Sequence, residues 1–177
     1  MYEDLIESLR AAHAHNPEVA DVIAQLFSPE GKDPHSLQFN INLGLEVRGP
    51  DGQVKERREI HNLICTAGKN VILDDGAGAK YVKDYAYVMI GTGTTAANAA
   101  DTALQTESAR NIGTVSNPSA NTLRVTYTFP AGTGTGAVTE SGLDSAGSAS
   151  AAILCRQVFS AVNKGAADSL QVTFDIT

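Results

Sequence analysis

The chain has 177 residues, with 13 basic side chains against 20 acidic ones and a formal net charge of −7. That balance, with no basic run of five or more residues, argues against a nucleic-acid partner, whose phosphates would call for a basic face. Apolar residues at 42% can fill an ordinary core, but aromatics at 6%, the absence of Trp and 16 Gly point to a many-turn β fold with thin packing.

The length suits one domain with an extension. The start, MYEDLIESLR, is acidic and amphipathic and lacks the basic lead and apolar centre of a secretory signal. No apolar run reaches the roughly 18 residues of a membrane span. Synthesis in the cytosol and no membrane partner are therefore expected. Tyr2, Leu5, Ile6, Leu9 and Ala12 fall at helical spacing. Asn16-Pro17-Glu18 reads as a second helix start, with Asn as cap and Pro in the first turn. Val19, Val22, Ile23, Leu26 and Phe27 form its apolar stripe, and Ser28-Pro29-Glu30-Gly31 ends it. Short helices with apolar faces are marginal alone in water and need something to pack on. Residues 1–31 are thus expected to be a helical anchor, followed by a β domain over 36–177.

From Leu37 the period changes to two. Leu37, Phe39, Ile41, Leu43, Leu45 and Val47 alternate with polar residues and Gly44, the pattern of a half-buried strand. Gly49-Pro50-Asp51-Gly52 is a turn, and Val54 to Cys65 the return strand. Its charged stretch Lys55 to Arg58 reads as a solvated, edge-blunting face. Thr66 to Gly76 reads as a short helix capped by Thr66. Further strands are expected at 85–90, 107–115, 123–129, 138–143, 153–159 and 170–176, with turns at 116–121, 145–150 and 163–165. Seven to nine strands between frequent turns predict a mainly β fold, an antiparallel β-sandwich of jelly-roll or immunoglobulin-like type.

Gly91-Thr92-Gly93-Thr94-Thr95-Ala96 follows a strand and matches a dinucleotide-loop pattern. Such a site needs the loop to open a helix whose first amides hold a pyrophosphate. Here the loop runs into Ala-Asn-Ala-Ala-Asp, with no amphipathic helix, and no Gly-Lys-Ser/Thr follows for a P-loop. His13 and His15 point to different helix faces, His35 and His61 stand alone, and the two cysteines are scattered, so no zinc spacing exists. Asp74-Asp75-Gly76 and Asp144-Ser145 are too sparse for an EF-hand and read as turns. No cofactor is expected. Cys65 and Cys155 lie in apolar, strand-like contexts and read as buried free thiols, with their pairing left open. Glu107 and Glu140 could be paired carboxylates for glycoside hydrolysis. The preferred reading makes them structural ion pairs, Glu107 with Arg110 and Glu140 with Arg156.

One set of segments carries a resemblance: His61-Asn62-Leu63-Ile64 with Ala67-Gly68-Lys69; Ile90-Gly91-Thr92-Gly93-Thr94-Thr95 with Asp101-Thr102-Ala103-Leu104, Glu107 and Arg110; Val138 to Leu143; Ile153 to Phe159; and Asp168 to Phe174. Over roughly residues 55–177 the chain resembles small virion structural proteins of tailed bacteriophages, of tail-fibre-like or head-decoration type. The resemblance implies a β-sandwich that attaches to a particle, often by self-association, with no catalytic residues. The expected partners are other virion proteins and copies of the chain itself, as a dimer or trimer, and the expected contact residues are Tyr2, Leu5, Ile6, Leu9, Val19, Val22, Ile23, Leu26 and Phe27. The alternative is a receptor- or carbohydrate-binding tail-tip module using loops 91–101 and 131–136, which lack the aromatic platforms that sugars favour.

Overall fold

A computed structural model describes residues 39–73, 81–148 and 152–177. The expected helical anchor at 1–31, its nine contact residues, and the Asp74-Asp75-Gly76 stretch lie outside the described residues. Among the described residues nine strands and one α-helix follow in chain order: β1 (Ile41–Arg48), β2 (Val54–Ile64), α1 (Thr66–Leu73), β3 (Tyr87–Gly91), β4 (Glu107–Ile112), β5 (Thr114–Ser119), β6 (Thr122–Phe129), β7 (Gly136–Asp144), β8 (Cys155–Lys164) and β9 (Ser169–Ile176). A 3-10 turn at Val82–Asp84 precedes β3.

Every ladder is antiparallel, and the strand order is β4-β3-β7-β8-β2-β1-β9-β6-β5. The two end strands are consecutive in sequence, separated only by Gly113. The sheet therefore nearly closes on itself. Strand alternation explains the inside: Ile41, Leu43, Leu45 and Val47 of β1 face Leu170, Val172, Phe174 and Ile176 of β9, all within 4% of full burial. Val88, Ile90, Leu143 and Val162 extend the same core from the other arc of strands. Each such side chain contributes about 1.5–3 kcal/mol when fully buried.

Closure has two seams, each at a strand that changes partner. β2 pairs with β1 along most of its length, but with β8 only at Leu63 and Ile64. Beyond that point Arg58 spans the gap, its Nη1 donating to the Ser160 carbonyl at 2.5 Å and its Nη2 to the Ala161 carbonyl at 3.0 Å. At the other seam β4 pairs with β3 and β5 with β6. There Asn111 Nδ2 donates to the Tyr127 hydroxyl at 2.8 Å, while the Gly113 amide, donating to the Ala86 carbonyl at 2.7 Å, adds a last rung on the β3–β4 side. Side chains take over where the backbone ladders stop.

Most strand ends move by one or two residues from the sequence reading, and three differences have a clear physical cause. The strand expected over 107–115 divides at Gly113, because the chain there leaves one ladder for the other. The turn expected at 116–121 shrinks to Ala120-Asn121, and β5 runs on to Ser119 against Thr122 despite Pro118, tolerated on an end strand. The last hairpin turns after Lys164 rather than through it. Lys164 still pairs with Gly136, and its buried ammonium donates to the carbonyls of Pro130 (2.9 Å) and Asp168 (2.7 Å).

Candidate functional site

The most elaborate polar construction lies on the outward face of β7 and β8, under the crossover from β3 to β4. Pairing sets Gly91 opposite Glu140 and Gly142 opposite Arg156, so Glu140 and Arg156 are near neighbours on one face. A register shift between Val138 and Glu140 then turns two successive side chains toward the crossover. The Thr139 hydroxyl donates to the Gly93 carbonyl at 2.9 Å, and the Gly93 amide donates to Glu140 Oε1 at 3.0 Å.

Glu140 is fully buried and saturated. Oε1 also accepts from the Thr106 amide at 2.7 Å; Oε2 accepts from the Gln105 amide at 3.0 Å and from Arg156 Nε at 2.8 Å. Burial pushes its pKa up, but the amides of Thr106 and Gln105, the Arg156 guanidinium and the Gly93 amide together outweigh it and hold the carboxyl below its ordinary value. Arg156, 2% exposed, has three acceptors: Glu140, Asp101 Oδ2 (2.7 Å from Nη1) and the Thr95 carbonyl (3.0 Å from Nη2). Asp101 in turn closes its own turn by accepting the Asn98 amide at 2.8 Å. The crossover also touches α1, where the Thr66 amide donates to the Ala99 carbonyl at 2.7 Å. Leu104, Met89, Cys65 and Ile153 make a small apolar cluster beneath it.

This geometry answers the glycine-loop question. A phosphate site requires free amides, whereas here the Gly93 amide belongs to Glu140, and the Thr94 and Thr95 amides both donate to Gln105 Oε1 at 2.9 Å. The chain's own carboxylate and carboxamide fill the anion position. A Cβ on Gly93 would come 2.5 Å from Glu140 Oε1, so only glycine allows the approach.

Glu107 and Arg110 form a second station. Arg110 clamps Glu107 through two bonds of 2.7 Å and reaches Asp144 Oδ2 at 3.0 Å and the Ala146 carbonyl at 2.7 Å. Glu107 and Glu140 sit on strands either side of Gly91, roughly 10 Å apart by strand spacing. Both carboxylates are occupied by N–H donors, and the glycine loop lies against Glu140. The arrangement can fix a loop. At a third station the Lys55 ammonium and the Gly165 amide both bind the Asp168 carboxylate, at 2.7 and 3.0 Å.

Both cysteines are buried free thiols, with burial pushing Cys65 to about 11 and Cys155 higher still. His61 is exposed, and its Nδ1 lies 3.4 Å from Asn42 Oδ1. Among the described residues no group of three or more His, Cys, Asp or Glu is placed to hold a metal, and no helix is long and apolar enough to cross a membrane. The sequence reading gave no hydrogen-bonding role to Asp101, Gln105, Thr139 or Asp168, and it read Asp144 as a turn residue, whereas Asp144 ends β7 and accepts from Arg110. The alternation of Glu140, Gly142 and Asp144 along one strand face was the only local signal of a buried polar row. Comparison with family models, curated proteins and solved structures gives no match.

Proposed function

We propose that the chain is a non-enzymatic structural protein of a tailed-phage virion, attaching to the particle as a capsid decoration or tail-associated subunit. In this reading the nearly closed sheet is a β-sandwich of jelly-roll or immunoglobulin-like type, made in the host cytoplasm and destined for the virion. The observation that supports it most is how the buried charges are used. Glu140, Arg156, Asp168 and Lys164 each bind loop backbone within the protein. The body is stiffened at its crossings, as a load-carrying unit needs, and its interior ionic groups are spent on that task. The apolar stripe of residues 1–31 supplies the grip, either on a neighbouring virion protein or between two or three copies of the chain.

The test is deletion of residues 1–31, followed by co-sedimentation of the purified protein with particles lacking it. The full chain is expected to bind and the truncated chain to remain in the supernatant. Equal incorporation of both would remove the anchor from the reading.

A further inference from the structure

The outward face of β1, β2, β9 and β6 carries a groove of about 340 Å³, and at its centre is Gly44. Nothing in the backbone explains this glycine. Its φ is outside the left-handed region, and a Cβ there would meet only Thr173, at 3.7 Å, an ordinary contact. Glycine in the middle of a strand weakens it, and such a glycine often marks a site where a ligand or another backbone approaches closely.

Pairing lays out the surroundings. Across the middle row Glu59, Gly44, Thr173 and Thr126 stand side by side on four neighbouring strands. On one side of that row Arg57 binds Glu46; on the other Arg124 binds Asp175 through two bonds of 2.6 Å. The lining holds three arginines (Arg57, Arg58, Arg124) and three carboxylates (Glu46, Glu59, Asp175); Arg58 alternates onto the inward face of β2, which leaves the outward face with two arginines against three carboxylates. All three arginines are engaged by carboxylates, Arg58 by Glu56. Glu59 alone among the six has no hydrogen-bond or ion-pair partner among the described residues.

We infer that this groove binds a neutral polyhydroxylated ligand, a saccharide, with Glu59 accepting hydroxyl donors over the floor left open by Gly44. An anion would find no free cation and would face the Glu59 charge. A cation would find one carboxylate where tight sites use several. Hydroxyls suit a free carboxylate set among paired charges and beside the Thr173 hydroxyl, which bonds that of Thr126; with no aromatic face in the lining, the contact is made by hydrogen bonds rather than by stacking. The groove is distinct from loops 91–101 and 131–136, and the inference does not depend on particle attachment.

The experiment uses the full chain on an immobilised panel of neutral hexose and N-acetylhexosamine oligosaccharides, with sulfated and sialylated counterparts. The best neutral binder is then titrated into isotope-labelled protein and followed by amide shifts. The expected result is retention of a neutral saccharide with shifts centred on Gly44, Glu59 and Thr173. Gly44→Val, which fills the groove with a good strand former, and Glu59→Ala should each weaken binding at least tenfold without lowering the melting temperature. A blank panel, preference for the anionic counterparts, shifts centred elsewhere, or undiminished binding by either folded variant would overturn the assignment.

Discussion

Glu140 is a costly residue to remove, being fully buried with four donors on its carboxylate. Replacing it by alanine takes from the buried Arg156 one of its two carboxylates, leaving Asp101, and strips three amides of their acceptor. Removing one member of a buried pair typically costs about 3–5 kcal/mol. Glu140→Ala is expected to show a loss of that size in urea unfolding, with faster amide exchange at Gly93 and Thr106; an effect below 1 kcal/mol, about that of an exposed pair, would mean the network is not as closed as its geometry implies. The thiols give a simpler readout. With Cys65 held at about 11 and Cys155 above it, both are protonated and shielded. A thiol reagent should detect neither in the native protein and both in denaturant. Of these side chains, the cysteines were legible in sequence as buried apolar positions. The pairing of Glu140 with Arg156 was also read from the sequence, but its three backbone donors were not, because they come from residues 93, 105 and 106.

The seams are where secondary-structure elements meet without a ladder, and they can be opened one at a time. Tyr127→Phe deletes the hydroxyl that Asn111 Nδ2 reaches between β4 and β6 and leaves the edge-to-face contact with Phe129, at 4.8 Å between ring centres. A loss of about 0.5–1.5 kcal/mol is expected, the net worth of one hydrogen bond. It should be accompanied by increased exchange in β4 rather than β7. At the other seam Arg58→Ala should free the edge of β8 near Ser160 and Ala161 while leaving the pairing of Leu63 with Arg156 protected. The strands themselves were readable from alternation. Their ends were not: Gly113 and Lys164 lie where the chain changes partner or buries a charge, and neither event has a local pattern.

For the molecule as a whole, acid is the informative variable. Glu46, Glu140 and Asp168 all have folded-state pKa values below their ordinary 4.5, 4.5 and 3.8: Glu46 chiefly through Arg57, Glu140 through its amides and Arg156 against the cost of burial, Asp168 chiefly through Lys55. A carboxyl depressed by folding binds protons more readily when unfolded. Its contribution is therefore complete above the ordinary value and is lost as pH falls through the folded value. Lys164, whose pKa burial lowers from 10.5, is protonated in both states in that range and adds no slope. The urea midpoint should be flat between about pH 5 and 8 and fall steeply below the ordinary carboxyl range. A midpoint that stays level in acid would show that these networks contribute little to folding.

Alternating apolar residues settled the strands one by one, since a strand's inward and outward faces follow from neighbours two positions apart. The turn residues between them settled the antiparallel habit. What the tertiary structure decided was which strands meet and in what register: the partner change at Leu63, the near-closure at Gly113, and the shift beside Val138 that turns Thr139 and Glu140 toward the same glycine. Register is fixed by the packing of all the strands at once, across separations such as the 47 residues between Gly93 and Glu140, and no window of sequence contains that information.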